Sequence, residues 1–586
     1  MKLSDYVLSR LADAGIKHAY TIYGGAISEI MDAFTRQTRI QYICPIHEQA
    51  GIFAAEGEAK VSGLPGVVIV TSGPGGGNIV TGLQNAFYDS TPLIAICGQV
   101  QVRFLNTQPE VRQLGFQSTP IVDIVRPITK WAHCVKDPAT IRMVLDRALM
   151  ECMSGRKGPV LLDIPIDVQK MEVHPGEMSG RGGEVLLESP LEYVTQFRQD
   201  LAVAKRPAIL VGGGAYQARH AIRRFAEAYS IPVFRTWNAL DIITDDSPVY
   251  GGTIGTYGGP GRNFGIQNCD LLLSLGCRFS GRITGGLPQT FARGAKKYIV
   301  DIDPVGLKYQ EVNGDVNVLA DAIDFARLLS LELSVPHAPQ FIDWLGVVRG
   351  WLTKYDPVRP EFFGEALHHY AFMRRLSDLL PANAIIVSDT GGNVIMMGHA
   401  FRSKQGQRIF SSNGNTPMGF ALCGAMGAWF AEPTRPVVCI IGDGGFQMNI
   451  QELQTMKHYG INIKVFIINN ACLGNTKSYQ RVNKMAEVAC GPDGYSVPDF
   501  IEVAKAYGIF AAHIPPFNRM VDGIVDIVMK MNEPVICDVQ HLDFCQYEPR
   551  ISEWDVGIED AYPFLPRDEF RNNLIEVQPL PGWEKK

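Results

Sequence analysis

Gly442–Gly474 reads GDGGFQMNIQELQTMKHYGINIKVFIINNACLG. Ahead of it, the apolar run Arg435-Pro-Val-Val-Cys-Ile-Ile441 suits a buried strand. Gly442-Asp443-Gly444-Gly445 breaks that run sharply. Phe446, Ile450, Leu453 and Met456 then recur at helical spacing, and Gly460 suits a helix end. Ile463–Ile468 is a second buried-strand run that delivers Asn469-Asn470. Strand, helix and strand make one βαβ unit. It places Asp443 and Asn470 at the carboxyl ends of two parallel strands, where open α/β sheets hold ligands. Both side chains offer oxygen, the donor that Mg²⁺ or Ca²⁺ takes.

The spacing is specific. Gly-Asp-Gly, 24 residues, then Asn-Asn resembles the metal motif of the thiamine-diphosphate enzymes. That resemblance implies that Asp443, Asn470 and the carbonyl of Cys472 hold a divalent cation, Mg²⁺, which in turn holds the cofactor's diphosphate. The plainer alternative is a turn aspartate plus an asparagine pair closing a strand.

A chain of 586 residues exceeds one hydrophobic core, so two to four domains are expected. Its 46% apolar and 19% charged residues are those of a soluble globular protein. A net charge of −6 leaves no nucleic-acid footprint. The 12 cysteines are scattered with no CxxC, which argues against a zinc ribbon or redox pair and for a reduced, cytoplasmic setting. The opening MKLSDYVLSRLADAG lacks the apolar block of a signal peptide, and no apolar run reaches membrane-spanning length.

Strands alternate with helices along the chain, which predicts an α/β fold of three doubly wound parallel-sheet domains. The boundaries expected are 1–170, 190–340 and 360–545, with a tail over 546–586 and a Gly/Glu/Ser-rich linker over 171–190. In the first domain, His18–Ile22 leads to Tyr23-Gly24-Gly25-Ala26, and Val67–Thr71 leads to Ser72-Gly-Pro-Gly-Gly-Gly-Asn78. The loop Gly73–Gly77 could cradle a phosphate or let backbone approach a ring. Glu48, opening an Ala-rich helix, is expected to be desolvated.

The segments YGGAISEI, HEQAGIFAAEGEAK, VTSGPGGGN, DSTPLIAICGQV and FQSTPIVDIVRPITKWAH together resemble the acetolactate synthase branch of the thiamine-diphosphate enzymes, from about residue 1 to 545. The resemblance implies a pyrimidine-binding first domain in which Glu48 meets N1′ of the cofactor's aminopyrimidine and relays a proton. It places Gly25, Gln117 and Lys130 with Glu48 as catalytic residues, Phe116 as an apolar wall, and Gly24, Ala26, Gly73 and Asn78 against the cofactor. Arg126 reads as an ordinary strand-end cation.

In the middle domain, Pro207–Val211 runs into Gly212-Gly213-Gly214, either a nucleotide loop or a tight strand–helix turn. Arg278-Phe-Ser-Gly-Arg282-Ile-Thr-Gly285 resembles the family's flavin segment, and Asp301, Asp303 and Asp321 match its acidic strand ends. FAD is therefore expected with Gly213, Arg278, Arg282, Asp301 and Asp321; relatives outside the branch carry ADP there, or nothing. In the third domain the family pattern assigns Gly392, Asn393, Gly444 and Gly445 to the diphosphate. It assigns Thr416 and Met418 to the loop that wedges the cofactor into a bent shape. The first and third domains read as two copies of one architecture.

The chain also departs from the family. Asn393-Val394 stands where Gln-His is usual, and Leu473-Gly-Asn-Thr-Lys-Ser-Tyr479 where LGMVxQW is usual. Tyr479 thus replaces the tryptophan of the acceptor pocket, and Asn475, Thr476 and Lys477 make it more polar. The tail resembles those of acetolactate-synthase-like proteins of surface-sugar biosynthesis. The expected activity is carboligation: a 2-oxo acid donor, pyruvate, loses CO₂ and its two-carbon unit joins an acceptor carbonyl, either a second 2-oxo acid or a keto-deoxysugar nucleotide. The alternatives are a simple decarboxylase, for which the His-His pair expected near residues 104–117 is absent, and a non-catalytic paralogue. The resemblance further implies a homodimer or dimer of dimers with shared sites.

Overall fold

The computed structural model describes residues 1–105, 108, 110–174, 176, 188–331, 340–540, 545–551 and 553–585. The linker expected over 171–190 falls in part outside the described residues.

Three six-stranded parallel sheets organise the chain. The first holds β1 (His18–Thr21), β2 (Gln41–Ile43), β3 (Gly66–Val70), β4 (Leu93–Gln99), β5 (Trp131–Cys134) and β6 (Pro159–Pro165), in the order β2-β1-β3-β4-β6-β5. The second holds β7 (Pro207–Val211), β8 (Val233–Arg235), β9 (Tyr250–Thr253), β10 (Leu271–Leu275), β11 (Lys296–Asp301) and β12 (Val316–Leu319), in the order β12-β11-β10-β7-β8-β9. The third holds β13 (Ile385–Ser388), β14 (Arg408–Ser411), β15 (Val437–Gly442), β16 (Ile463–Asn469), β17 (Phe510–Ile514) and β18 (Val535–Gln540), in the order β14-β13-β15-β16-β18-β17. Counted within each domain, the first and third sheets share one order, as the repeated motif layout predicts. The second has the 3-2-1-4-5-6 order of dinucleotide-binding sheets, with its switch point between β7 and β10.

The central strands are apolar runs because both faces are covered. Every residue of β3, β4, β6, β7, β10 and β16 is buried. The first and third sheets share a single core. Helices Glu48–Ser62 and Phe420–Ala431 meet there, with Phe53 and Phe420 edge to face at 5.5 Å. A Cβ on Gly57 would overlap the Gly424 carbonyl, so these backbones approach as only small residues permit. Phe420–Ala431 is apolar all round, as a helix buried on every side must be.

The tail folds back on the second sheet. Ile558, Ala561, Leu565 and Phe570 enter the core built by residues 194–351. Asn263 Nδ2 donates to the Ile558 carbonyl at 2.7 Å, and Trp351 Nε1 to Asn573 Oδ1 at 2.7 Å. Among the described residues no helix is long and apolar enough to cross a membrane.

Candidate active site

The strand-end loops of the first and third sheets carry two separate sets of chemistry-bearing groups. In the first set, Gly24 follows β1 so closely against Thr71 that a Cβ there would overlap the threonine side chain. Gly25 faces open space, and the Ala26 N–H lies 3.4 Å from Thr71 Oγ1. Glu48 begins its helix one residue after His47, whose Nδ1 accepts from Gln49 N at 3.1 Å. Asn78 Nδ2 donates to Glu48 Oε2 at 2.9 Å, and Gly75 leaves room beside Oε1. Gln117, in the left-handed region at φ 61°, packs on Gly73.

Two expectations fare differently. Glu48 is half-buried, short of the full burial expected for it. Phe116, expected as a wall, is 86% exposed. Lys130 lies at the amino ends of the strands, just before β5. Its ammonium donates to the Ser154 carbonyl at 2.6 Å, and burial lowers its pKa. The fold therefore sets Lys130 apart from Glu48, Gly25 and Gln117, which follow strand carboxyl ends. Arg126 pairs with Asp123 at 2.7 Å on the surface.

In the second set, Asp443 is buried at the end of β15. Its Oδ1 accepts from Gly444 N (2.7 Å) and the Tyr495 hydroxyl (3.0 Å), and its Oδ2 from Asn470 N (3.2 Å). Desolvation raises its pKa to about 6 against these hydrogen bonds. Ala471 at φ 51° turns the chain sharply, so that Asn470 Oδ1 accepts from Cys472 N at 3.3 Å. One carboxylate, one amide oxygen and one backbone carbonyl form an oxygen donor set suited to Mg²⁺.

Asp389, at the end of β13, ties the surrounding loops together by accepting from Gly419 N (3.0 Å) and Ala421 N (3.3 Å); burial lifts its pKa to about 6. Met418 reaches Gly444, and Thr416 sits at φ 56° in the same loop. A Cβ on Gly445 would overlap the Asp389 carboxylate. Asn393 is buried; its Nδ2 donates to the Thr390 carbonyl at 3.1 Å, and its Oδ1 has no partner among the described residues. The donor set, with Gly392, Gly444 and Gly445 where a Cβ would collide with Tyr547, Met418 and Asp389 respectively, fits thiamine diphosphate with Mg²⁺.

Several residues here carry no motif signal. Glu452 accepts from Ile46 N and His47 N at 3.1 Å and from Thr455 Oγ1 at 2.7 Å, so the third sheet's helix braces the turn that presents Glu48. Tyr495 sits 52 residues beyond Asp443, and nothing local marks it. The second sheet gathers a further group of expected site residues at its strand ends. Gly213 follows β7, Arg278 and Arg282 follow β10, and Asp301 and Asp321 follow β11 and β12. Arg278 and Arg282 are exposed, and among the described residues neither has a carboxylate partner. Burial raises the pKa of Asp301, and Asp321 Oδ1 accepts from Ile323 N at 2.8 Å. Tail residue Trp554 flanks Gly281 and Gly286.

Comparison with known proteins agrees with this layout. Residues 1–119 match the N-terminal TPP binding domain of thiamine pyrophosphate enzymes, 194–329 their central domain, and 389–539 their C-terminal TPP binding domain. The chain is 32% identical to the acetolactate synthase isozyme 2 large subunit of Escherichia coli K12, over 98% of this chain and 100% of that protein. It is 32% identical to a probable acetolactate synthase large subunit of Methanocaldococcus jannaschii, over 92% of each. It is 34% identical to the chloroplastic acetolactate synthase of Arabidopsis thaliana, over 88% of this chain and 77% of that protein.

Proposed function

The chain belongs to the thiamine pyrophosphate enzymes, among the acetolactate synthases, and on that premise we propose that it takes pyruvate as donor, releases CO₂ and joins the two-carbon unit to an acceptor carbonyl. The observation that carries this reading is the pair of half-sites: Glu48 bonded to Asn78 in one, and the oxygen set of Asp443, Asn470 and Cys472 in the other. When bound, thiamine diphosphate supplies the electron sink for decarboxylation. Asp443, Asn470 and the Cys472 carbonyl hold Mg²⁺; Gly392, Asn393, Gly444 and Gly445 surround the diphosphate; Met418 wedges the rings. Glu48 holds and moves the proton at N1′, oriented by Asn78. Gly24, Gly25, Ala26 and Gly73 let backbone come close to the pyrimidine, and Gln117 lies on its substrate side.

The acceptor is a second 2-oxo acid or the ketone of a nucleotide-linked deoxysugar. Helix Gly474–Val482, just after the metal set, carries Asn475, Thr476, Lys477 and a 59% exposed Tyr479. That polarity favours a hydroxylated acceptor. The test is CO₂ release from pyruvate, with product analysis, across acceptors from pyruvate to hydroxylated ketones. Ligated product with at least one acceptor supports carboligation, and acetaldehyde alone in every case contradicts it.

A homodimer, or a dimer of such dimers, completes the sites. The half-burial of Glu48 and the exposure of Tyr23, Phe116, Met448 and Tyr479 support this, because each is a large side chain facing solvent beside a half-site. FAD would be held at the β7/β10 switch point by Gly213, Arg278, Arg282, Asp301 and Asp321, the arginines supplying positive charge and the aspartates acceptors. The purified protein is then expected to be yellow, with flavin absorbance. A protein that stays colourless after FAD addition and desalting would remove the flavin.

A further inference from the structure

Tyr547 lies in the tail beyond β18, and its ring is buried with only 6% exposed. Its ring packs in the third sheet's core, 5.6 Å from His369. Its hydroxyl lies between two helix starts. A Cβ on Gly392 would overlap that oxygen, and a Cβ on Gly474 would come within 3.0 Å of it. Gly392 opens helix Gly392–His399 and Gly474 opens helix Gly474–Val482. The first N–H groups of each helix have no intrahelical acceptor, and both ends favour negative charge. Among the described residues the Tyr547 hydroxyl has no hydrogen-bond partner, although the side chain is more than nine-tenths buried.

A phenylalanine would fill the same ring space, and no described residue uses the hydroxyl as a partner, so the fold itself does not call for that oxygen. The hydroxyl is therefore explained by a group that enters between the two helix starts. That group is anionic, because it meets two helix N-termini and a phenol donor, and it lies beside the Asp443 metal set. We propose that Tyr547 donates a hydrogen bond to the diphosphate of the bound cofactor, making the tail part of the cofactor site. This rests on the reading of the chain as a thiamine-diphosphate enzyme.

The tail's own anchors hold the tyrosine in place. Ile551 N donates to the Thr256 carbonyl at 2.9 Å, Pro549 packs on Gly259, and Ile558 is buried in the second sheet's core. This segment thus adds a link between the diphosphate loops and the second sheet.

The test is Tyr547→Phe in the full chain, titrated by calorimetry with thiamine diphosphate and, separately, inorganic pyrophosphate, each with Mg²⁺. The ³¹P spectrum of the bound cofactor and the unfolding temperature of the cofactor-free protein complete it. Loss of a hydrogen bond to a charged group predicts dissociation constants raised about 10- to 100-fold for both ligands. A shifted diphosphate resonance and an unfolding temperature no lower than wild type are expected with it. Unchanged affinity for both ligands overturns the proposal. So does weakening toward thiamine diphosphate alone, which would place the hydroxyl's influence on the rings. So does loss of the folded state, which would make the hydroxyl structural. A wild-type chain that binds neither ligand would instead fail the underlying cofactor reading, and the proposal with it.

Discussion

Asp443→Ala is expected to abolish tight binding of thiamine diphosphate while leaving the fold intact. Mg²⁺ is held through one or two carboxylates and the phosphates of its partner, and Asp443 is the one carboxylate of this oxygen set. Removing outer-sphere partners of a metal already costs about 10–100-fold in affinity, so loss of the charged ligand itself is expected to exceed about 100-fold. The fold is spared for an electrostatic reason. Burial raises the Asp443 pKa to about 6. A carboxyl whose folded pKa is raised stabilises the fold only in its protonated form. That contribution fades as pH climbs from the unfolded value of about 4 through 6. At pH 7 the cofactor-free protein therefore holds this charge at a loss, and alanine relieves it. Calorimetry and thermal unfolding check both halves. Wild type is expected to gain unfolding temperature with thiamine diphosphate and Mg²⁺, and the variant to show none of that gain. Unchanged affinity would contradict the metal assignment.

Glu48→Gln is expected to lower turnover by about 10²–10⁴-fold, the range of general acid–base contributions. Glutamine preserves the shape and can still hydrogen-bond with Asn78, but it cannot titrate. Cofactor affinity should fall far less, because the diphosphate and metal are held by the other half-site. The two variants damage different half-sites. Mixed Glu48→Gln and Asp443→Ala chains are therefore expected to recover part of the activity through hybrid dimers in which one site keeps both intact halves. No recovery despite demonstrated subunit exchange would contradict shared sites.

What the sequence made legible was local. The runs Val437–Ile441 and Ile463–Ile468 are buried strands because both sheet faces are covered, and that leaves an uninterrupted apolar signature. The Gly-Asp-Gly to Asn-Asn spacing located Asp443 and Asn470, because one helix must bridge two adjacent parallel strands. The helix between them was expected to be continuous, yet it breaks at Asn449. There Nδ2 donates to the Gly419 carbonyl at 3.0 Å and φ is −132°. That tertiary bond overrides a periodicity that ran through Phe446, Ile450, Leu453 and Met456.

Long-range groups stayed hidden for the same reason. Glu452 braces the turn before Glu48 from some 405 residues away, and Tyr495 reaches Asp443 across 52. Neither spacing has a local pattern to betray it. Lys130 shows the converse. The family resemblance implied a place among the catalytic residues, whereas strand direction puts it at the amino end of the sheet.

Exchange of the thiazolium C2 proton of bound thiamine diphosphate with deuterium, followed by quenched flow and NMR, reads the contribution of Glu48 without any acceptor. With both proteins saturated by cofactor and Mg²⁺, wild type is predicted to exchange about 10²–10⁴-fold faster than Glu48→Gln. Equal exchange rates in the two proteins would mean that Glu48 does not relay the proton, and would contradict the assignment of this half-site.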